Sequence, residues 1–146
     1  KYLPPCIKKY LEGVSSGNRN FAVTVLLTAF ISYARIVPEE GQRISEHIDS
    51  MDFIEEEIMP YIRKAAERCD PPLFEEQPKE IENIYYHLGF GLTDSPNLED
   101  SGRSPWYLPP NCHKIQKQSV LCRPDDFCKK IKNPLSYYFA KKKSEN

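Results

Sequence analysis

Four of the chain's five cysteines lie at its two ends, and this placement constrains the fold more than any other feature of the sequence. Cys6 stands in Leu3-Pro4-Pro5-Cys6-Ile7. The other three begin 106 positions later, in Pro109-Pro110-Asn111-Cys112, Leu121-Cys122 and Arg123-Pro124-Asp125-Asp126-Phe127-Cys128. Their spacing is Cys-x9-Cys-x5-Cys. Thiolates gathered from both ends of a short chain, in proline-rich company, read as ligands of a soft metal centre that closes the fold like a clasp. A [4Fe-4S] cluster takes four such thiolates and needs no Cys-x2-Cys repeat when the ligands come from separate loops.

On spacing alone other uses of these thiols stay open. Cys69 makes the number odd, so a fully disulfide-paired secreted module would leave one thiol over. The chain has no signal peptide and no apolar run long enough to span a membrane, so no membrane partner is expected. It reads as belonging to a reducing compartment, where clustered cysteines are more often metal-bound or catalytic than disulfide-paired. Zinc would use the same four thiolates, although zinc ribbons and fingers usually carry close Cys-x2-4-Cys pairs, which are absent here.

At 146 residues the chain suits a single domain, residues 1–146, and can bury a real core without a metal to compensate for size. A formal net charge of −1 hides a segregation of charge. Residues 1–35 hold five Lys or Arg against one Glu, residues 113–146 nine against three acids, and residues 36–112 six against seventeen. Joining the two ends would therefore create one basic and one acidic side, the footprint of a phosphate-bearing partner. Lys141, Lys142 and Lys143 read equally well as a solvated tail. Because it begins at Lys1 and not at Met, the chain reads as a fragment of a longer polypeptide with any catalytic domain upstream.

The pattern along the chain predicts helices. Residues 3–13 form a short one entered through Pro4-Pro5 and stopped by Gly13. Ala22, Val25, Leu26, Ala29, Phe30 and Tyr33 recur at helical spacing, which makes 20–36 a central helix. Pro38 opens another through about Ile48. A further helix spans 52–68 with a kink at Pro60 and ends at Asp70-Pro71-Pro72. Pro78 starts a helix that Gly89 caps. Residues 91–110 read as a long loop, with short helical pieces between Asp125 and Phe139. Strand patterning is scarce. The expected class is mostly α, a compact helical domain whose N- and C-terminal segments are joined at a [4Fe-4S] cluster.

With these residues in view, the chain resembles the C-terminal iron-sulfur domain of the large subunit of archaeal and eukaryotic DNA primase, or the equivalent domain of a plasmid or viral primase-polymerase. The family opens on Pro-Pro-Cys-Ile and a basic turn before an apolar helix. It closes on Pro-Pro-Ser-Cys, Leu-Cys, Asp-x-x-Cys and His-Pro-Leu-x-Tyr-Tyr. Here stand Pro4-Pro5-Cys6-Ile7, Asn18-Arg19-Asn20, Pro109-Pro110-Asn111-Cys112, Leu121-Cys122, Asp125-Asp126-Phe127-Cys128 and Asn133-Pro134-Leu135-Ser136-Tyr137-Tyr138. Asn111 and Asn133 replace the family's Ser and His. A middle Tyr-x-Ile-x-His motif is met only loosely by Asn83-Ile84-Tyr85-Tyr86-His87-Leu88-Gly89. The resemblance implies a [4Fe-4S] cluster on Cys6, Cys112, Cys122 and Cys128. It also implies a non-catalytic accessory role in DNA replication, binding single-stranded DNA template, RNA or DNA primer and the 5′-triphosphate of the initiating nucleotide. The partner would be a catalytic primase subunit or a fused primase-polymerase domain, in the cytoplasm of an archaeal cell or a eukaryotic nucleus.

Nothing in the chain resembles a nucleotidyl-transfer site, since the acids are spread over solvated faces such as Glu55-Glu56-Glu57. Binding is the chemistry it can support. Arg19, with Asn18 and Asn20 in a turn before a helix, sets cationic and amide donors beside free backbone N–H groups, which favours phosphate. Lys8, Lys9, Lys114, Arg123, Lys129 and Lys130 would surround the clasp. Tyr85, Tyr86, Trp106 and Tyr107 can stack on bases or pack beneath loops, and His87 can bind a ligand or serve a plain structural role. A second function class is a metal-stabilised scaffold that docks proteins in a replication complex. A redox enzyme lacks support, because no second cofactor motif such as Gly-x-Gly-x-x-Gly accompanies the cysteines.

Overall fold

Pro4 holds extended geometry (φ −66°, ψ 158°) and Pro5 takes the first position of helix α1 (Pro5–Leu11), where its missing N–H is not needed. The helix turns Cys6, Ile7 and Tyr10 inward and leaves Lys8 and Lys9 outside. Gly13 ends the turn with φ +96°, and an added Cβ would meet the Arg68 carbonyl oxygen at 2.2 Å. Only glycine lets the two segments come this close. This computed structural model describes residues 2–38, 43–118 and 121–145.

Two helical rods form the centre. The first is π-helical over Asn20–Leu27 and continues as α2 (Thr28–Ile36). At the junction both the N–H and the hydroxyl of Thr28 reach the Val23 carbonyl. Nearly all of α2 is buried, and Val37 ends it in the left-handed region at φ 53°. The second rod runs from α3 (Met51–Phe53) through a π-helical turn at Ile54–Ile58 into α4 (Met59–Arg68). Pro60 cannot donate to the preceding turn and its ring crowds the carbonyl four residues back, so the widened turn sits where the proline requires it. The π-helical half of the first rod packs on α4, and α2 packs on Ile54–Ile58, which makes the rods antiparallel.

Short elements close the core. Helix α6 (Glu80–His87) covers the first rod, burying Ile84 and Tyr85, and helix α5 (Leu73–Glu76) packs on α4 and α6, burying Leu73. Gly89 caps α6 at φ +100° and its carbonyl accepts from Gly102 and Ser104, which folds the 91–110 segment back onto the helix. Helix α7 (Cys112–Gln118) and helix α8 (Pro134–Ser144) complete the chain, with α8 packed on α2. Tyr2 and Phe30 meet Tyr138 edge to face at 6.1 and 5.7 Å. Two isolated bridges, Ser15 with Asp70 and Leu88 with Trp106, are the only β pairing among the described residues. No helix there is long and apolar enough to cross a membrane.

The mostly helical class holds, and so do the helices at 3–13, 20–36, 52–68 and after Pro78. The helix expected from Pro38 to Ile48 does not form as such. Residues 39–42 lie outside the described residues, and the remainder holds a single 3-10 turn, Ile44–Glu46, that suffices to bury Ile44. The C-terminal helix continues to Ser144, so Lys141–Lys143 belong to α8 and not to a free tail. Lys141 lies over the Phe127 ring at 4.9 Å.

Candidate metal centre

One cavity of about 260 Å³ is lined by all four terminal cysteines. Cys6 reaches it from the first turn of α1 and Cys112 from the first residue of α7. Cys128 reaches it from a 3-10 turn (Phe127–Lys130), and Cys122 from the segment between. Pro4, Pro5, Pro124 and Pro134 form much of the remaining wall. Among the described residues, no group of three or more His, Cys, Asp or Glu side chains is arranged to hold a single metal ion.

Without a cation the thiols hold their protons. Burial, reinforced by the neighbouring Cys122, Cys112 and Cys128, pushes Cys6 up to about 12. Burial and the nearby Asp125 carboxylate push Cys128 up to about 11. Cys112 and Cys122 are raised chiefly by burial, which hydrogen bonds from Cys6 and Gln116 partly offset at Cys122. A positively charged group entering the cavity would reverse this and release protons as it bound. The donor set fits a thiolate-ligated metal centre. Cys69 does not line the cavity; it is 3% exposed and its thiol donates to the Ala65 carbonyl at 3.4 Å.

The cysteine loops are tied to α8. The Cys112 N–H donates to the Lys132 carbonyl at 2.7 Å. Asn133 caps α8 by accepting from the Leu135 N–H at 2.9 Å and donates to the Pro109 carbonyl at 3.0 Å. Asp125 accepts from the Cys128 N–H at 3.1 Å and from the Tyr137 hydroxyl at 2.7 Å. Tyr137 also meets Phe127 edge to face at 5.0 Å.

Around this site Lys8, Lys9, Lys114 and Arg123 are exposed, and Lys9 pairs loosely with Glu12 at 3.8 Å. Arg19 departs from the sequence-based expectation. Its side chain is 3% exposed and ion-paired with Glu76, and it donates to the Pro71 carbonyl at 2.7 Å, so it is no free surface cation. Asn18 is half-buried, and its carbonyl accepts from the Ala22 N–H at 2.9 Å. Tyr85 is a second correction: it is 2% exposed and its hydroxyl donates to Glu55 at 2.6 Å, so it offers no ring to a base. Trp106 is buried too, stacked on Tyr33 at 4.1 Å with its indole N–H on the Ser32 hydroxyl. Tyr86, His87 and Tyr107 form a separate, partly exposed aromatic group, His87 and Tyr107 lying 4.8 Å apart.

Residues 1–143 match the family formed by the C-terminal domain of the large subunit of eukaryotic and archaeal DNA primase. The chain belongs to this primase family. It is 59% identical over 142 residues to the DNA primase large subunit PriL of Thermococcus kodakarensis, covering 94% of this chain and 36% of that protein. PriL of Pyrococcus horikoshii is 56% identical over 145 residues, covering 97% and 37%. PriL of Methanothermobacter thermautotrophicus is 48% identical over 145 residues, covering 95% and 33%. The chain thus spans about a third of the length of these curated relatives. No solved structure gives a significant match.

Two contributors to the primase-domain site are not apparent from sequence. Gln116 lines the cavity, and its one signal is its position four residues after Cys112, on the same helical face. The Asp125–Tyr137 bond joins two of the C-terminal motifs, but nothing in either names the other as its partner.

Proposed function

We propose that this domain is the non-catalytic part of a primase that binds template, primer and the 5′-triphosphate of the initiating nucleotide, and that Cys6, Cys112, Cys122 and Cys128 hold a [4Fe-4S] cluster. The observation that carries the reading is one thiol-lined cavity built from both chain ends, with exposed Lys8, Lys9, Lys114 and Arg123 following its cysteines in sequence. Zinc would use the same four thiolates, so metal and sulfide content decide between the two. When bound, the cluster supplies a cross-link between the chain ends.

The rest of the work falls to the chain. Exposed cations beside the cavity attract phosphates without reading bases. Tyr86 and Tyr107, with His87 beside them, offer faces on which a base can stack. Arg19 supports this surface from within by fixing the Pro71 and Glu76 segment to the start of the first rod. Nucleotide joining is left to a catalytic primase subunit or a fused catalytic domain.

Iron and sulfide analysis with visible absorption of anaerobically purified protein tests the cluster. Binding to a 5′-triphosphorylated primer-template tests the surface. Alanine at Lys8, Lys114 or Arg123 should each lower the salt dependence by about one unit of slope, uniformly across sequences. With the catalytic partner present, primer initiation should fall more than extension of a preformed primer. Weak, salt-independent binding would overturn the nucleic-acid reading in favour of a protein-docking scaffold.

A further inference from the structure

We infer that Gln116 sets the reduction potential of the group held by the four thiols, as a side-chain amide donor on the wall of their cavity. The inference rests on the iron-sulfur reading above and deepens it. The cavity wall is short of side-chain hydrogen-bond donors. Pro4, Pro5, Pro124 and Pro134 have no backbone N–H. The N–H groups of Cys112 and Cys128 are already given to Lys132 and Asp125, and those of Ile115 and Ile131 to Asn111 and Cys128.

Apart from the thiols, two lining side chains carry donors, Lys129 and Gln116. Lys129 is turned outward, 79% exposed, with its ammonium 3.5 Å from Asp126. Gln116 lies one helical turn beyond Cys112 on α7 and lines the cavity together with Cys122. A donor to a ligand sulfur favours the reduced, more negative state and so raises the potential. Because Gln116 is itself exposed, this contact is separable from the packing of the domain.

The test compares wild type, Gln116→Leu and Gln116→Lys, purified anaerobically, by iron and sulfide content and by midpoint potential from a spectroscopically monitored redox titration. Leucine keeps the bulk that excludes water and removes the donor; lysine keeps a donor and adds positive charge. All three should carry the same iron. The leucine variant should titrate at a lower potential, changing the oxidised-to-reduced ratio at a fixed potential on the order of fivefold. The lysine variant should titrate at or above wild type. An unchanged potential in fully loaded Gln116→Leu overturns the role of Gln116 and leaves the iron-sulfur reading intact. Should that variant lose its iron, a lysine variant below wild type overturns the role instead. Wild-type protein without iron and sulfide overturns the iron-sulfur reading, and this inference with it.

Discussion

Asn133 donates its side-chain amide to the Pro109 carbonyl at 3.0 Å while its own Oδ1 accepts the Leu135 N–H at 2.9 Å. One residue thereby caps α8 and fastens to it the segment that leads into Cys112. Asn133→Ala should lose both functions and about 1–2 kcal/mol of stability. Asn133→Asp keeps the acceptor for the cap and loses only the donor, so it should melt between alanine and wild type. Thermal unfolding of the two variants measures the division, with a shift of roughly 2–6 °C expected for alanine.

Arg19 is a stability residue in this arrangement. Its partner Glu76 is 51% exposed and can rehydrate, so Arg19→Ala should lose about 2 kcal/mol, less than a fully buried pair would. Its effect on the salt slope of nucleic-acid binding should stay below one unit. Chemical denaturation beside a binding titration distinguishes this from a direct phosphate contact.

Tyr85 predicts an alkaline limb of stability. Burial first, and then its bond to Glu55, raise its pKa well above the usual value of 10.0. The native chain therefore keeps this proton after the unfolded chain has lost it. The contribution is whole below about pH 10 and is lost as pH rises beyond it toward the folded-state value. Tyr85→Phe should be less stable at neutral pH and should lose stability less steeply above pH 10, by up to about 1.4 kcal/mol per pH unit. Tyr137 is shifted in the same direction, so the difference between variant and wild type isolates Tyr85.

The two kinds of cysteine should separate cleanly. On the iron-sulfur reading, Cys122→Ser is expected to lose iron and Cys69→Ser to keep it, since Cys69 lies away from the cavity. Loss of the group should free the N-terminal segment, so that proteolysis cuts near Cys6 first. Iron content and mass-mapped limited proteolysis check both points.

The rods, the glycine caps and the gathering of the cysteines are legible in the chain, because each leaves a local mark: apolar spacing over 20–36, Gly13 and Gly89 at helix ends, and proline beside thiol. Helix α7 leaves none. Its sequence Cys-His-Lys-Ile-Gln-Lys-Gln has a single buried apolar residue, Ile115, so there is no period to detect. On α6 the neighbours Tyr85 and Tyr86 project about 100° apart, and only the packing decides which one is buried. The burial of Arg19 depends on Glu76, 57 positions away, and a charged residue in a capping turn looks the same whether it faces water or a distant carboxylate.

The cavity at the clasp also has a timetable. One wall carries Cys6, among the first residues of this stretch to be synthesised, and the others await Cys112, Cys122, Cys128 and Pro134. At about 5–20 residues per second, the ribosome needs roughly 5–20 s to travel from the first cavity thiol to the second. Throughout that interval the nascent chain presents Cys6 without any of the other thiols that line the cavity. The pocket comes into being only as this stretch nears completion, so whatever fills it must be delivered to a nearly finished domain and cannot serve as a template around which the early helices fold.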